Sequence, residues 1–407
     1  MSAYSIRPYF DFARMKLTGH TAHTDFKGTM VYMEPDRRSR PRCHVCGRPG
    51  SIHTSGLYRA VLDLSLADHK VIVQFEYRKV WCRHCGGAKV EQLDFTGPGM
   101  RITYRMANYI WSLCEKLPID SVARRFGLDP KTVKAIDYEK LKQHYGHTDT
   151  ENLRLLAVDE IALKKGHKYM TVVLDYETGR VVCMGEGHRA DTLAQFFNQL
   201  TDSQKQGIQA VAMDMWQPYI KAVEQHLPHA DIVFDFIHVV QGFNKVIDKV
   251  RRSEYRKASQ EHKKVIKGSR YLLLKNKENL TLTDECNEPE QLQRLLDLNK
   301  NLSAVYILKD DLKRIYQQAT PAAMAYALVT WCRRAEELRN RSVTAFSTRL
   351  KRHANGILNY CKHRISTGPL EGANNKIKVL KRIAYGYHDE EYFVLKVKQA
   401  LPGKDAG

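Results

Sequence analysis

The sequence predicts an α/β protein: a mixed-sheet core, a long helical insertion within it, and two small modules ahead of it. Three observations carry this. Two Cys-x-x-Cys pairs, Cys43/Cys46 and Cys82/Cys85, flank a stretch of alternating β-formers. A helix, a glycine turn and a second helix follow, over residues 119–141. Beyond them three strand-like runs lead into helix, strand, helix, strand, the order expected of a sheet with mixed strand directions.

Composition narrows the partners. A chain of 407 residues is long enough for two or three domains with real cores. Its 43% hydrophobic and 27% charged content is ordinary for a globular protein, but its net charge of +20 is not. That sign and size point to a polyanion, nucleic acid before anionic membrane. No apolar run is long enough to span a bilayer, and MSAYSIRPYFDFARMK lacks a signal-peptide core, so the expected location is cytoplasmic. Nine cysteines, an odd number without an export signal, argue for reduced thiols, some of them metal ligands.

Residues 1–40 are weakly patterned apart from a short strand, Thr29 to Met33, and a basic lead-in of Arg37, Arg38, Arg40 and Arg42. The cysteine pairs come next. Each pair puts two thiolates on one tight knuckle, and two knuckles complete a tetrahedral Zn²⁺ site of Cys43, Cys46, Cys82 and Cys85. His44, His53 or His84 could replace one thiolate, and four unrelated buried cysteines are the bland alternative. Tyr58 to Leu66 and Val71 to Val80 read as a hairpin turning at Ala67 to Lys70. A closed four-ligand site would be structural.

In IDSVARRFGLDPKTVKAIDYEKL the turn falls at Gly127, Asp129 can cap the second helix, and Pro130 fits its first position. Val122, Ala123, Phe126, Leu128, Val133 and Ile136 would form a small shared core, as in a helix-turn-helix. Lys131, Thr132 and Lys134 would then face DNA; the alternative is a generic helix pair.

After residue 148 the pattern changes. LRLLAVDEIAL is a buried-strand run holding Asp159 and Glu160. KYMTVVLDYETGR and RVVCMGEGH follow as strands with a turn at Thr178–Gly179. Ala190 to Leu200 is a helix, Gln209 to Met213 a strand ending at Asp214, Pro218 to His226 a helix, and Asp231 to Phe234 a strand ending at Asp235. A carboxylate in an apolar strand costs several kcal/mol, of order 2–7, unless paired or cation-bound. Asp159 and Asp214 at matching ends of neighbouring strands suggest a shared site for a hard cation; arginine partners are the alternative.

From Phe243 to Lys362 the chain reads as mostly helical. Its first part carries a basic cluster of Arg251, Arg252, Arg256, Lys257, Lys263, Lys264 and Lys267, either a solvated face or a phosphate contact. Glu290 to Gln318, Pro321 to Asn340 and Val343 to His363 read as three helices. STGPLEGANNKIKVLKR, Ser366 to Arg382, is a loop and a helix whose apolar stripe is Leu370, Ala373, Ile377, Leu380 and Ala384. Glu371 stands in its first turn, where the helix dipole favours an acid anyway. A last helix, Asp389 to Ala400, and a short disordered tail complete the expectation.

The segments AVDEIALKKGHKY, VAMDMWQPY, FDFIHVV and STGPLEGANNKIKVLKRIAYGY, together with the cysteine pairs and helix-turn-helix, resemble the bacterial insertion-sequence transposases of the "ISL three" family. The resemblance runs from Cys43 to Leu395 and is specific in combination, each motif being weak alone. It implies a ribonuclease H-like catalytic core with a DDE triad, interrupted by a helical insertion before the last acid. The first acid falls on Asp159, the second on Asp214 and the third on Glu371; Asp235 and His238 fall on a further motif of undefined role. The implied division is a zinc-binding module (1–100), a helix-turn-helix region (101–148), a first core part (149–242), an insertion (243–365) and a core completion (366–407).

The implied activity is metal-dependent DNA cleavage and strand transfer at the ends of an insertion sequence. Mg²⁺ or Mn²⁺ would be held by Asp159, Asp214 and Glu371, with Asp159 bridging two ions. Lys376, Lys378, Lys381 and Arg382, like Arg251 and Arg252, are candidate DNA-backbone contacts. His238 is a candidate for positioning a phosphate or a DNA strand, with a purely structural histidine as the alternative. The partners would be the terminal inverted repeats and target DNA, with a homodimer or higher oligomer joining two ends. Two rivals remain at this point: an inactive DNA-binding regulator derived from such an enzyme, and a recombinase with a tyrosine nucleophile.

Overall fold

The computed structural model describes residues 6–23, 27–164, 168–187, 190–283, 286–366 and 368–404. Lys165, Gly166 and His167 of the first resembling segment, His188 and Thr367 lie outside them. The chain forms two compact units, Met1–His144 and Tyr145–Gly407.

The first unit is built on a five-stranded sheet: β1 (Met15–His23), β2 (Gly28–Pro35), β3 (Ser51–Leu66), β4 (His69–Trp81) and β5 (Ala88–Val90). The order is β1-β2-β4-β3, with β5 on β4. The expected hairpin is β3–β4, and its turn is tighter than the sequence suggested. Leu66 pairs with His69, which leaves Ala67 and Asp68 at the tip and Ala67 at φ +56°. Inward residues Val31, Met33, Val61, Val71, Val73 and Phe75 pack with Phe10, Phe12, Leu93 and Phe95. Three helices follow: α1 (Tyr104–Cys114), α2 (Ile119–Phe126) and α3 (Pro130–Tyr145). Gly127 ends α2 in the left-handed region (φ +63°), and Leu128 N–H reaches back to the Ala123 carbonyl at 3.0 Å. The Asp129 carboxylate then accepts from Lys131 N–H at 2.7 Å and starts α3. Val122, Ala123 and Val133 are buried with Ile102, Met106 and Ile110, and Phe126, Leu128 and Ile136 pack against them.

The second unit opens with β6 (Leu155–Lys164), β7 (Lys168–Asp175) and β8 (Val181–Glu186). Helices α4 (Ala190–Gln199) and α5 (Asp202–Gly207) precede β9 (Ala210–Met213); α6 (Gln217–His226) precedes β10 (Asp231–Phe234). The sheet order is β10-β9-β6-β7-β8. β6, β9 and β10 are mutually parallel, whereas β7 and β8 are antiparallel hairpin strands. Side chains alternate between two cores. Leu156, Val158, Val173, Val211 and Met213 pack with Phe197 of α4 and Tyr219 and Val223 of α6. Ala157, Ile161, Met170, Val172, Ala212 and Val233 face the opposite way.

Between β10 and the end of the chain lies the helical block. It starts with α7 (Phe236–Lys257), α8 (Gln260–Ile266), α9 (Arg270–Leu274) and a short ladder of β11 (Leu282–Thr283) with β12 (Cys286–Asn287). The three helices expected next are five: α10 (Glu288–Leu298), α11 (Lys300–Tyr316), α12 (Pro321–Glu337), α13 (Arg341–Arg352) and α14 (Ala354–His363). The first break is at Asn299. Its side chain caps α11 at Leu302 N–H (3.0 Å), a bond that a continuous helix would forbid, and donates to the Glu254 carboxylate (3.0 Å). The second is at His353 (φ −104°, ψ 20°), after which Gly356 lies so close to Phe234 that a Cβ would sit 2.4 Å from its ring. α14 thereby covers edge strand β10. Asn359 donates to the Ile232 carbonyl (3.0 Å), and Lys362 and His363 both reach Asp231 (2.7 Å).

The chain closes with α15 (Gly368–Ile383) and α16 (Glu390–Ala400). Leu370, Ala373 and Ile377 of α15 and Phe393 and Val397 of α16 cover the second sheet face. The expected stripe is thus buried as far as Ile377 and half-buried at Leu380, while Ala384 falls beyond the helix end. The tail, expected to be disordered, is ordered through Lys404. Leu401 accepts from Val181 N–H (3.4 Å) and Lys404 N–H donates to the Thr178 carbonyl (2.9 Å).

Candidate catalytic and metal centres

Strand register brings the acids together. In the parallel β6–β9 pair Ala157 lies opposite Ala212, so two residues further along Asp159 comes level with Asp214. In β10–β9, Phe234 lies opposite Met213, so Asp235 comes level with Asp214 in turn. Asp159 shares the face of Ala157 and Ile161; Asp214 follows Ala210 and Ala212, and Asp235 follows Val233. Asp214 and Asp235 therefore follow the last residues of β9 and β10, and Asp159 stands level with them within the longer β6, on the face covered by α15. Adjacent strands are about 4.8 Å apart.

The α15 helix carries Glu371 one turn before a residue that bonds Asp159. Asn374 Nδ2 donates to Asp159 Oδ2 at 2.6 Å, and Lys381 Nζ donates to the Ala162 carbonyl at 3.3 Å. Three strand residues and seven helix residues each span about 10 Å, so α15 runs alongside β6 in the same direction. Glu371 is one turn before Asn374, with its Cβ about 5–6 Å from that of Asn374. Glu371 is exposed.

Burial pushes the Asp159 carboxyl above its usual range. The Glu160 backbone N–H, His238 and Asn374 pull it back, and the Asp214 charge pushes it up again. Asp214 is half exposed, and its Oδ1 accepts from Met215 N–H at 2.6 Å. An arginine from the helical block attends it: Arg349 Nη2 lies 4.0 Å from Asp214 Oδ1 and donates to the Met215 carbonyl at 3.0 Å. Asp235 is buried and caps α7, accepting from Ile237 N–H at 2.9 Å. His238, in the first turn of α7, is half-buried. On the other face Glu160 adjoins Tyr219, whose hydroxyl lies 2.8 Å from Thr171 Oγ1 and whose ionisation burial strongly opposes.

The carboxylates suit a hard divalent cation: oxygen donors, a partly buried site, and an Asp159–Asp214 repulsion that a cation would relieve. The three acids are not drawn to ligand spacing. Among the described residues, the one group of three or more potential ligands with all ligand atoms within 4.8 Å is Cys43, Cys46, Cys82 and Cys85.

Those four cysteines meet as two matching knuckles. Gly47 (φ +69°) and Gly86 (φ +64°) follow the second cysteine of each pair, in the left-handed conformation that glycine alone adopts cheaply. Cys46 and Cys82 Sγ are 3.5 Å apart, close to the edge of about 3.8 Å in a tetrahedron with Zn–S bonds of about 2.3 Å. The Cys85 N–H, first, lowers the Cys82 thiol to about 7. Cys85 is pushed up by its neighbouring cysteines, led by Cys46, which is what crowded thiols do without a cation. The histidines are turned elsewhere: His44 to the Val90 carbonyl (3.0 Å), His84 to Arg48 (3.2 Å), and His53 onto the Trp81 ring.

The candidate DNA contacts are unequal. Lys131 and Thr132 are exposed near the start of α3, and Thr132 also lines a groove with Ile102, Ala107 and Ile136; Lys134 is half-buried. Lys376, Lys378 and Arg382 are exposed on α15, and Lys381 is the strand anchor. Arg251 is taken up inside the protein by Asp248 (2.8 Å) with a side chain 16% exposed, whereas Arg252, on the same carboxylate, keeps 63%. Sequence reasoning missed Asn374 and Arg349. Asn374 could have been found, because it lies three residues after Glu371 on one helix face. Arg349 had no local signal, since its partner Met215 is 134 residues away.

Comparison with known proteins places the chain in a family. Residues 156–397 match a family described as transposase, and residues 91–139 match the helix-turn-helix domain of transposase family ISL3. The transposase for insertion sequence element IS1001 of Bordetella parapertussis is 38% identical over 377 residues, 92% of this chain and 91% of its own. The transposase for IS1557 from two strains of Mycobacterium tuberculosis is 26% identical over 392 residues, 89% of this chain and 86% of its own.

Proposed function

The chain belongs to transposase family ISL3, and on that premise we propose that Asp159, Asp214 and Glu371 form the catalytic triad of a DNA cleavage and strand-transfer enzyme acting on insertion-sequence ends. The observation that carries this is the register that sets Asp159 level with Asp214 beneath the helix bearing Glu371. The sheet, with three antiparallel strands followed by two parallel ones on the β6 side, supports a ribonuclease H-like core of residues 149–242 and 366–407. Residues 243–365 are then an insertion delivering Arg349 to the site and Glu371 beyond it. Residues 1–100 and 101–148 are the zinc-binding and DNA-reading parts, with Cys43, Cys46, Cys82 and Cys85 holding a structural Zn²⁺.

Asp159, Asp214 and Glu371 would hold Mg²⁺ or Mn²⁺, which when bound activates the attacking oxygen and neutralises the leaving one. The scissile phosphate would lie against the face of the sheet that carries the acids, with its charge met by the cation they hold. Water attacks that phosphorus at the element end, the P–O3′ bond breaks, and the oxygen departs as a 3′-hydroxyl. That hydroxyl attacks a target phosphodiester, displacing the target 3′-oxygen, with no covalent enzyme intermediate. Lys376, Lys378 and Arg382 beside Glu371 meet the DNA backbone, and Lys131, Thr132 and Lys134 lie on the α3 helix that enters the major groove. His238 positions the phosphate or strand nearest Asp159, and Asp235 holds that histidine's helix in place. Joining two ends calls for a homodimer or higher oligomer, in the cytoplasm. Among the described residues no helix is long and apolar enough to cross a membrane.

Purified protein with DNA carrying the terminal repeats tests this reading. Cleavage in Mg²⁺ or Mn²⁺ that leaves a free 3′-hydroxyl is expected. Binding without cleavage in either metal would make the chain a DNA-binding regulator, and a covalent protein–DNA adduct would make it a tyrosine recombinase.

A further inference from the structure

Asn374 is 5% exposed and makes one resolved bond, from Nδ2 to Asp159 Oδ2 at 2.6 Å. Its other polar atom, Oδ1, is buried without a hydrogen-bond partner. An orphaned buried carbonyl oxygen costs about 1–3 kcal/mol, and side chains are seldom left so unless something else completes them. The amide is also not interchangeable end for end. An ionised Asp159 can only accept, so the NH₂ must face it and Oδ1 must face away. That oxygen therefore sits within one amide group of the strand-end acids and needs a donor.

We propose that Asn374 is a positioning residue for the divalent-cation site. Its NH₂ holds the Asp159 carboxylate in place through Oδ2, and its own Oδ1 would accept from a water in the cation's hydration shell. Divalent ions of the Mg²⁺ class keep several such waters in protein sites. Asn374 also joins the two elements that supply the acids, since it belongs to α15 with Glu371 and bonds to β6 through Asp159. Lys381 on the Ala162 carbonyl makes the second anchor, so the helix is pinned at two points and Asn374 is the one nearer Glu371.

This inference rests on the acids being the cation site, and the experiment separates the two. Mn²⁺ binding to the full-length, zinc-loaded protein is followed by the electron paramagnetic resonance of free Mn²⁺, without DNA. Wild type, Asp159→Asn, Asn374→Ala and Asn374→Leu are compared, each with a thermal melt. Wild type is expected to bind, and Asp159→Asn to lose that site. Both Asn374 variants should bind about 10- to 100-fold more weakly, the usual effect of removing a group that orients a metal ligand. Asn374→Leu, of similar volume, removes the orphaned oxygen but also takes the donor from Asp159 Oδ2, so its melt should remain cooperative with a midpoint only a few degrees from wild type. Unchanged Mn²⁺ affinity in a folded Asn374 variant overturns the inference while leaving the acids in place. Loss of the cooperative melt in Asn374→Leu also overturns it, because the amide would then be holding the fold. Failure of wild type to bind Mn²⁺, or unaltered binding by Asp159→Asn, would instead remove the cation site itself.

Discussion

Asp159→Asn should stabilise the protein in the absence of Mg²⁺ and destabilise it relative to wild type in its presence. The strands carrying Asp159 and Asp214 are about 4.8 Å apart, and two carboxylates at about 5 Å repel by about 3 kcal/mol at an effective dielectric of about 20. Asp214 is 49% exposed, with Arg349 4.0 Å away, which screens much of this. About 1 kcal/mol is left. In a unit of this size 1 kcal/mol shifts the melting temperature by about 2–4 °C, so the variant should melt that much higher in Mg²⁺-free buffer with zinc retained. Mg²⁺ at about 100 times its dissociation constant should then add about 2.7 kcal/mol to wild type and little to the variant. The order of the two melts should therefore invert. Calorimetry with and without Mg²⁺ reads it directly. A variant that melts lower than wild type without Mg²⁺, or equal Mg²⁺ shifts in both proteins, would refute the paired-acid reasoning.

Replacing Cys43 and Cys82 together by serine should abolish bound zinc, measured by atomic absorption, and unfold the knuckles, because structural zinc binding is folding free energy; one zinc per wild-type chain is expected. Asp248→Asn should cost about 2 kcal/mol at pH 7, since hydrogen bonds from Arg251 and Arg252 to that carboxylate are lost. Burial raises the Asp248 carboxyl, but those bonds outweigh it and hold it below 3.8. The wild-type advantage should accordingly be full above that value and vanish as pH falls through the lower folded one, which urea melts across pH would register. Lys131→Ala should weaken end binding and reduce the salt slope of log Kd by about 1 if it meets a phosphate; an unchanged slope in a fluorescence titration would remove that contact.

The core was legible because its signals are local. LLAVDEIAL and VAMD are continuous apolar runs that read as buried strands, and an acid within or at the end of such a run stands out, so Asp159 and Asp214 could be singled out together. The knuckles and Gly127 were readable for the same reason, each being a backbone requirement met by neighbours in sequence. The breaks in the helical block were not. Asn299 and His353 end helices through Glu254 and the close approach of α14 to Phe234, partners no periodicity encodes. The tail was misread because its order comes from the Thr178 carbonyl. Asn374 stood in plain view within the Glu371 helix, but only burial against Asp159 distinguishes it from an ordinary polar face. Arg349 is the hardest case, a basic residue among many whose place beside Asp214 depends on the whole helical block.

The most direct measurement compares single-turnover cleavage of end-bearing DNA by wild type, Asp214→Asn and Glu371→Gln at equal DNA occupancy. Wild type should cleave in Mg²⁺, and each variant should bind the ends normally but cleave at least about 10²–10³-fold more slowly, the scale of losing one group that acts on the transition state. Variants that cleave at the wild-type rate would contradict the catalytic assignment of these acids.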